Sequence, residues 1–307
     1  MATTQGTAGN PQVPVAVMRW LVRRLIRPVL APVVPVGIQR FWLEFVARAV
    51  PRADGVEIGR GMLAGRPVET AVPLGAGDDE AVLYLHGGGF TVGSPATHRA
   101  LATHLAAAMG TRVHVLDYRL APEHPHPAAL DDVLAACREL AGRHARLALV
   151  GDAAGGWLAL TAALRLRDAD ELLPATIGLI SPWLDLSGPS WAGGPVDDLL
   201  RPSWLRRCAA AYAPGADLLG PEFAPLAADL TGLPPIIVQV GRRELLLDDA
   251  VRLARRLRSA GIPVDLHGFD ELWHAAQASA GLVGAATEAV AMLAAALISR
   301  LAVPVRN

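Results

Sequence analysis

The sequence predicts an α/β fold with a mostly parallel central sheet flanked by helices. Two observations carry this expectation. From Gly55 onward, short apolar or alternating runs are separated by longer stretches with helical spacing, and alternation of that kind builds parallel strands with helices on both faces. Glycine-rich segments also stand directly after two of the runs, at His86–Gly89 and Gly151–Gly156, where such sheets carry their ligand-binding loops.

Taken in order, residues 1–12 are small, polar and uncharged, and are expected to be disordered. Residues 13–52 are expected to form a helical cap. Two helical stretches between Val15 and Val50 flank a proline-rich break at Pro28–Pro35. The first places Met18, Leu21, Val22, Leu25 and Val29 on one side and Arg23, Arg24 and Arg27 on the other. A helix packed on its own domain is favoured over a basic helix lying on a membrane surface. Residues 53–307 form the main domain. Val56–Gly59 and Val68–Val72 read as an antiparallel pair. Ala81–Leu85, Val113–Asp117, Leu147–Val150, Ile177–Leu179, Ile236–Val240 and Val264–Phe269 follow as strands. Helices are expected over His98–Met109, Pro127–His144, Gly156–Arg167 and Asp248–Ala260. Residues 187–232, rich in Pro, Gly and Trp, are expected as an irregular insertion lying over the sheet.

Composition excludes several functions. The formal net charge is −1, so no global field favours nucleic acid or anionic lipid. All 28 basic residues are Arg, which removes lysine Schiff-base chemistry and the Walker-type phosphate lysine. Cys137 and Cys208 lie far apart and are read as buried thiols. His124 and His126 have no metal-ligand partner at a suitable spacing, so no metal site is expected. Val29–Ile38 is broken by prolines and Ala289–Val305 is interrupted by Arg300, so neither reads as a membrane span of roughly 20 residues. No stable membrane insertion is expected. Without a signal-peptide pattern at the start, the expectation is a soluble cytoplasmic protein.

Three segments carry chemistry. His86-Gly87-Gly88-Gly89-Phe90 follows a strand, and glycines there let backbone N–H groups converge on one point, which is what a tetrahedral oxyanion needs. Gly151-Asp152-Ala153-Ala154-Gly155-Gly156 lies between a strand and a helix, the setting of the G-x-S-x-G elbow. The Ala154 N–H would complete the oxyanion hole, but Ala153 stands where the serine belongs. Asp152 is expected to point away from the site. His274 follows the last strand, and Glu244 follows the strand before it. A carboxylate at that place would orient the imidazole and stabilise its cation. Asp248 is the alternative acid, unless it serves to open the next helix.

Together with Asp117–Glu123, Pro127–Asp132, Ser181–Asp185 and Leu233–Pro235, these segments resemble the hormone-sensitive-lipase-like family of α/β-hydrolase esterases. The resemblance implies an N-terminal helical cap, ester hydrolysis through an acyl-serine and no cofactor. It also implies an oxyanion hole of Gly88, Gly89 and Ala154, with Glu244 and His274 as acid and histidine. The implied partner is a small molecule bearing an ester or carbonyl group. A homodimer is compatible with the sequence but not required by it. Family members more often use Asp as the acid, so Glu244 is a mild departure. Ala153 is a severe one.

Around the site, Arg119, Glu123, Asp131 and Asp132 are expected to pair with one another as scaffold. Trp20, Trp42 and Trp204 are expected to pack the cap, and Trp157 to line the pocket. Ala153 itself admits three readings. The serine was removed by engineering; or the enzyme is naturally serine-less and uses His274 and Glu244 as a general base for elimination or cyclisation; or the chain binds a ligand without turning it over, as related plant hormone receptors do.

Overall fold

In a computed structural model of the chain, the structure describes residues 12–188, 191, 197–220 and 222–302. The disorder expected for residues 1–12 therefore falls, apart from Gln12, outside the described residues, as does part of the 187–232 insertion.

Eight strands form one sheet. β1 (Val56–Leu63), β2 (Arg66–Pro73), β3 (Glu80–Leu85), β4 (Arg112–Leu116), β5 (Arg146–Asp152), β6 (Thr176–Ile180), β7 (Ile236–Gly241) and β8 (Val264–Phe269) lie in the order β1-β2-β4-β3-β5-β6-β7-β8. β1 pairs antiparallel with β2, and β2 with β4. Every other pairing is parallel. The result is the α/β-hydrolase architecture, a mostly parallel sheet with an antiparallel edge.

Strand period decides which helices each face receives, because successive side chains leave opposite faces. In β3, Leu83 and Leu85 join one core, while Val82 and Tyr84 join the other. In β5, Leu147 and Leu149 divide from Ala148 and Val150 in the same way. The first face is covered by α4 (Ala128–Ala141), α5 (Ala153–Asp168) and α7 (Leu247–Ser259), through residues such as Val133, Leu158 and Leu253. The second is covered by α3 (Pro95–Met109) and α8 (Gly284–Leu301), through Leu101, Leu105, Val290 and Leu293. α8 is long and apolar enough to cross a membrane by length and composition, but its Val290, Leu293 and Leu297 side chains are buried in the domain.

The N-terminal helices are α1 (Val15–Leu21), prolonged by a π-type turn over Val22–Ile26, and α2 (Val36–Ala47). The Trp42 indole N–H donates to the Leu25 carbonyl at 2.8 Å and ties them together. Gln39 is buried and fastens them to the body. Its amide donates to the Val34 carbonyl at 3.0 Å, and its oxygen accepts from the Trp204 indole at 3.0 Å.

Several expectations are corrected. The 187–232 stretch is not irregular throughout, because Pro202–Tyr212 forms helix α6 with Pro at its first turn, a position where the missing N–H costs nothing. Trp157 does not line the pocket. It is fully buried and donates to the Phe223 carbonyl at 3.2 Å, because the first turn of α5 faces the core. Trp20 does not pack within the cap but is 57% exposed. Glu123 pairs with Arg40 at 2.7 Å across the loop, while Arg119 takes Asp132 at 2.7 Å. The expectation for the cysteines holds: Cys137 and Cys208 are buried and free.

Candidate active site

The loop after β3 and the turn after β5 meet at the carboxyl end of the sheet. Gly88 (φ +118°), Gly89 (φ +59°) and Phe90 (φ +61°) lie in succession in the left-handed region. A Cβ on Gly88 would stand 2.1 Å from the Val92 carbonyl oxygen, so only glycine passes there. Phe90 is held in its disfavoured conformation by stacking on Tyr212, ring centres 3.8 Å apart. Among the described residues the Gly88 and Gly89 N–H groups have no hydrogen-bond acceptor, and both glycines line a cavity of about 640 Å3.

Ala153 adopts φ +47° at the junction of β5 and α5. The helix thus begins at Ala153, three residues ahead of the expected Gly156. A Cβ on Gly155 would meet the Leu85 carbonyl oxygen at 1.9 Å, and one on Gly151 the Gly155 oxygen at 2.3 Å. This close approach is what forces the turn's glycines. Ala153 lines the cavity. Ala154 is wholly buried beside it, in the first turn of α5, where a backbone N–H has no intrahelical acceptor.

His274 and Glu244 meet as their positions after β8 and β7 require. Glu244 Oε2 lies 2.9 Å from His274 Nδ1, and both side chains are buried. The other carboxylate oxygen accepts from the Gly241 N–H at 2.6 Å and from the Ser181 hydroxyl at 2.8 Å. Burial works to lower the His274 pKa, but the Glu244 hydrogen bond and charge outweigh it and raise the pKa above its ordinary value. With Nδ1 spent on Glu244, Nε2 is the nitrogen left for chemistry, a tautomer assigned from this bonding. Asp248 is not the acid partner. Its carboxylate is half exposed, in the first turn of α7, and lies 3.8 Å from Arg252.

Asp152 does not point away from the site as expected: it lines the same cavity as Ala153 and is bound under the glycine loop. Its Oδ1 accepts from the Gly87 N–H at 2.8 Å and the Tyr84 hydroxyl at 2.9 Å, and lies 3.2 Å from His98 Nε2. Burial would raise its pKa, yet His98, Tyr84 and the Gly87 N–H together lower it. For His98, burial is likewise outweighed, here by the Asp152 charge and hydrogen bond, and its pKa is raised. A second histidine–carboxylate pair therefore sits below the glycine loop. Sequence reasoning missed His98, Tyr84 and Ser181 because each acts through contacts between distant strands and loops. The polar Thr97-His98-Arg99 run near the start of the helix was the signal available for His98.

The site's donor set contains no metal cluster, since no group of three or more His, Cys, Asp or Glu converges among the described residues. What the arrangement offers is a ring of free backbone donors, a carboxylate-held imidazole and a cavity walled largely by apolar side chains.

Comparison with known proteins agrees with this geometry. A family model described as the alpha/beta hydrolase fold matches residues 82–278. The acetyl-hydrolase of Streptomyces hygroscopicus is 43% identical over 203 residues, covering 64% of this chain and 68% of that protein. Carboxylesterase NlhH of Mycobacterium tuberculosis is 32% identical over 311 residues, covering 88% of this chain and 96% of its own. A crystal structure of an esterase from the bacterial hormone-sensitive lipase family superposes with a TM-score of 0.88 at 36% identity, covering 96% of this chain and 100% of that one. With its sheet order, glycine loop and carboxylate-held histidine, the chain belongs to the hormone-sensitive-lipase family of α/β-hydrolase, esterase-like proteins.

Proposed function

We propose that this chain is a carboxylic ester hydrolase scaffold whose nucleophile position is occupied by Ala153. It binds a small ester or carbonyl compound in the apolar cavity without forming an acyl-enzyme. In this reading Gly88, Gly89 and Ala154 donate to the carbonyl oxygen, and His274 is the base that would take a proton from a nucleophile at position 153. Glu244 holds the ring and stabilises its cation. The observation that carries the reading is the backbone of Ala153. An alanine gains nothing from φ +47°, and this strained turn is what aims a serine hydroxyl at a substrate. The scaffold for attack is complete apart from one oxygen atom, which is the state a Ser-to-Ala replacement leaves.

A second reading rests on the His274–Glu244 pair itself. A protein that only bound a ligand would have no use for a buried, carboxylate-oriented imidazole. A natural serine-less enzyme would use His274 as a general base for elimination or cyclisation beside the oxyanion donors.

Ala153→Ser tests the first reading. The variant is expected to hydrolyse short-chain aryl esters with a burst, and to be labelled by a serine-directed phosphonate. The Ala153 protein should show no burst and no labelling, with at most roughly 10³–10⁴-fold acceleration over water from binding and oxyanion stabilisation. A correctly folded Ala153→Ser protein that neither labels nor hydrolyses would overturn it and favour the second reading. The codon at position 153 in the encoding gene separates an engineered replacement from a natural one.

A further inference from the structure

The N-terminal helices carry a large apolar surface that the protein leaves uncovered. On α1, Met18 and Val22 point into the domain, while Val17 is 47% and Trp20 57% exposed. On α2, Ile38, Phe41 and Phe45 recur at helical spacing and are 56%, 68% and 52% exposed. Phe41 and Phe45 stack with ring centres 6.3 Å apart. Single exposed apolar residues are ordinary, but exposed aromatic side chains on both of two joined N-terminal helices, with a stacked pair on α2, mark an interaction surface.

Charge selects the occupant. Residues 13–50 hold six arginines (Arg19, Arg23, Arg24, Arg27, Arg40 and Arg48) against one acid, Glu44, with Arg19 and Arg23 paired to Asp198 and Arg40 to Glu123. Arg24 and Arg48 are exposed and enter no ion pair among the described residues. A second copy of this chain would oppose the same positive charge to itself. Residues 1–11 contain Met1 as their only large apolar side chain, so they have little to lay on this surface. An anionic lipid surface satisfies both features, taking the aromatic side chains among its acyl chains and the arginines among its phosphates. Location agrees as well. Leu25, 45% exposed, and Phe45 belong both to this face and to the cavity wall that reaches Ala153 and His274.

We propose that the face formed by Val17, Trp20, Ile38, Phe41 and Phe45, with Arg24 and Arg48, docks the protein reversibly on anionic phospholipid. Docking sets the cavity mouth against the bilayer, so that a lipophilic molecule enters without crossing water. It is peripheral binding, distinct from insertion of a helix, and it holds whether or not the site turns over esters.

Co-sedimentation with vesicles of phosphatidylcholine, and of phosphatidylcholine mixed with phosphatidylglycerol, tests it on the full chain. The protein is expected to partition at least about tenfold more strongly onto the anionic vesicles, and to be released as salt is raised. The double variant Trp20→Ser/Phe41→Ser should weaken binding to anionic vesicles by roughly tenfold or more. Arg24→Gln/Arg48→Gln should remove most of the preference for phosphatidylglycerol. All four side chains are exposed, so unchanged circular dichroism will show that the variants fold. Failure of the parent protein to bind anionic vesicles would overturn the proposal, as would equal binding by Trp20→Ser/Phe41→Ser. A dimer in sedimentation equilibrium that this variant breaks, without vesicle binding, would instead assign the face to a second copy of the chain.

Discussion

Asp152 lies directly beneath Gly87: its Oδ1 accepts the Gly87 N–H at 2.8 Å, and a Cβ on that glycine would stand 2.1 Å from Oδ2. The residue before the elbow thus fixes the loop that carries the free backbone donors. The same carboxylate also holds His98 and the Tyr84 hydroxyl. Removing its charge strands a buried histidine cation. Asp152→Asn is therefore expected to cost about 3 kcal/mol or more of stability, read from the denaturant midpoint. An unchanged midpoint would mean that the pair is not charged.

Glu244 should matter to chemistry more than to folding once a nucleophile is present. In the Ala153→Ser background, Glu244→Gln is expected to lower kcat by roughly three to four orders of magnitude while KM changes little, because the amide no longer stabilises the His274 cation. A kcat within a few-fold of the parent would show that His274 does not take the proton.

Gln39 fastens the N-terminal helices to α6. Gln39→Ala leaves the buried Trp204 indole N–H without its partner and removes the amide's bonds to the carbonyls of Ala31 and Val34, which keep the Val34 N–H and Arg207 as donors. A loss of about 2 kcal/mol is expected. Protease cleavage within residues 13–50 should rise with it. If cleavage and stability both stay unchanged, other contacts hold these helices.

Stability should peak near pH 6.5, with different histidines setting the two sides. His98 and His274 have raised pKa values in the folded protein. Their contribution is full below the unfolded value and is lost as pH rises through the folded values. His86 is lowered to about 3, by burial first and then by His98, and His114 to about 4, by burial and then by His144. Those rings stay neutral in the fold while the unfolded chain binds protons, so stability falls as pH drops from 6.5 toward 4. Thermal midpoints across this range are the measurement, with His98→Asn expected to flatten the alkaline side. A parent midpoint constant above pH 6.5 would refute the charged His98–Asp152 pair.

Much of this molecule was legible in its residues alone. The strands showed because the inner ones are continuous apolar runs, such as Val82–Leu85 and Leu147–Val150, which only a sheet covered on both faces can hide. The positions of Ala153, Glu244 and His274 showed because each lies just past a strand, and a parallel sheet brings all such ends to one edge. Three-dimensional packing decided the rest. Whether Glu244 or Asp248 would meet His274 depended on how the loop after β7 turned, and Gly241 and Ser181 settle that by gripping Glu244. The His98–Asp152–Gly87 linkage joins a helix, an elbow and a loop far apart in the chain, so no local pattern encodes it. Trp157 and Trp20 exchanged their expected surroundings for the same reason. Composition says that a tryptophan favours burial, but only the packed neighbours determine which one finds a core to enter.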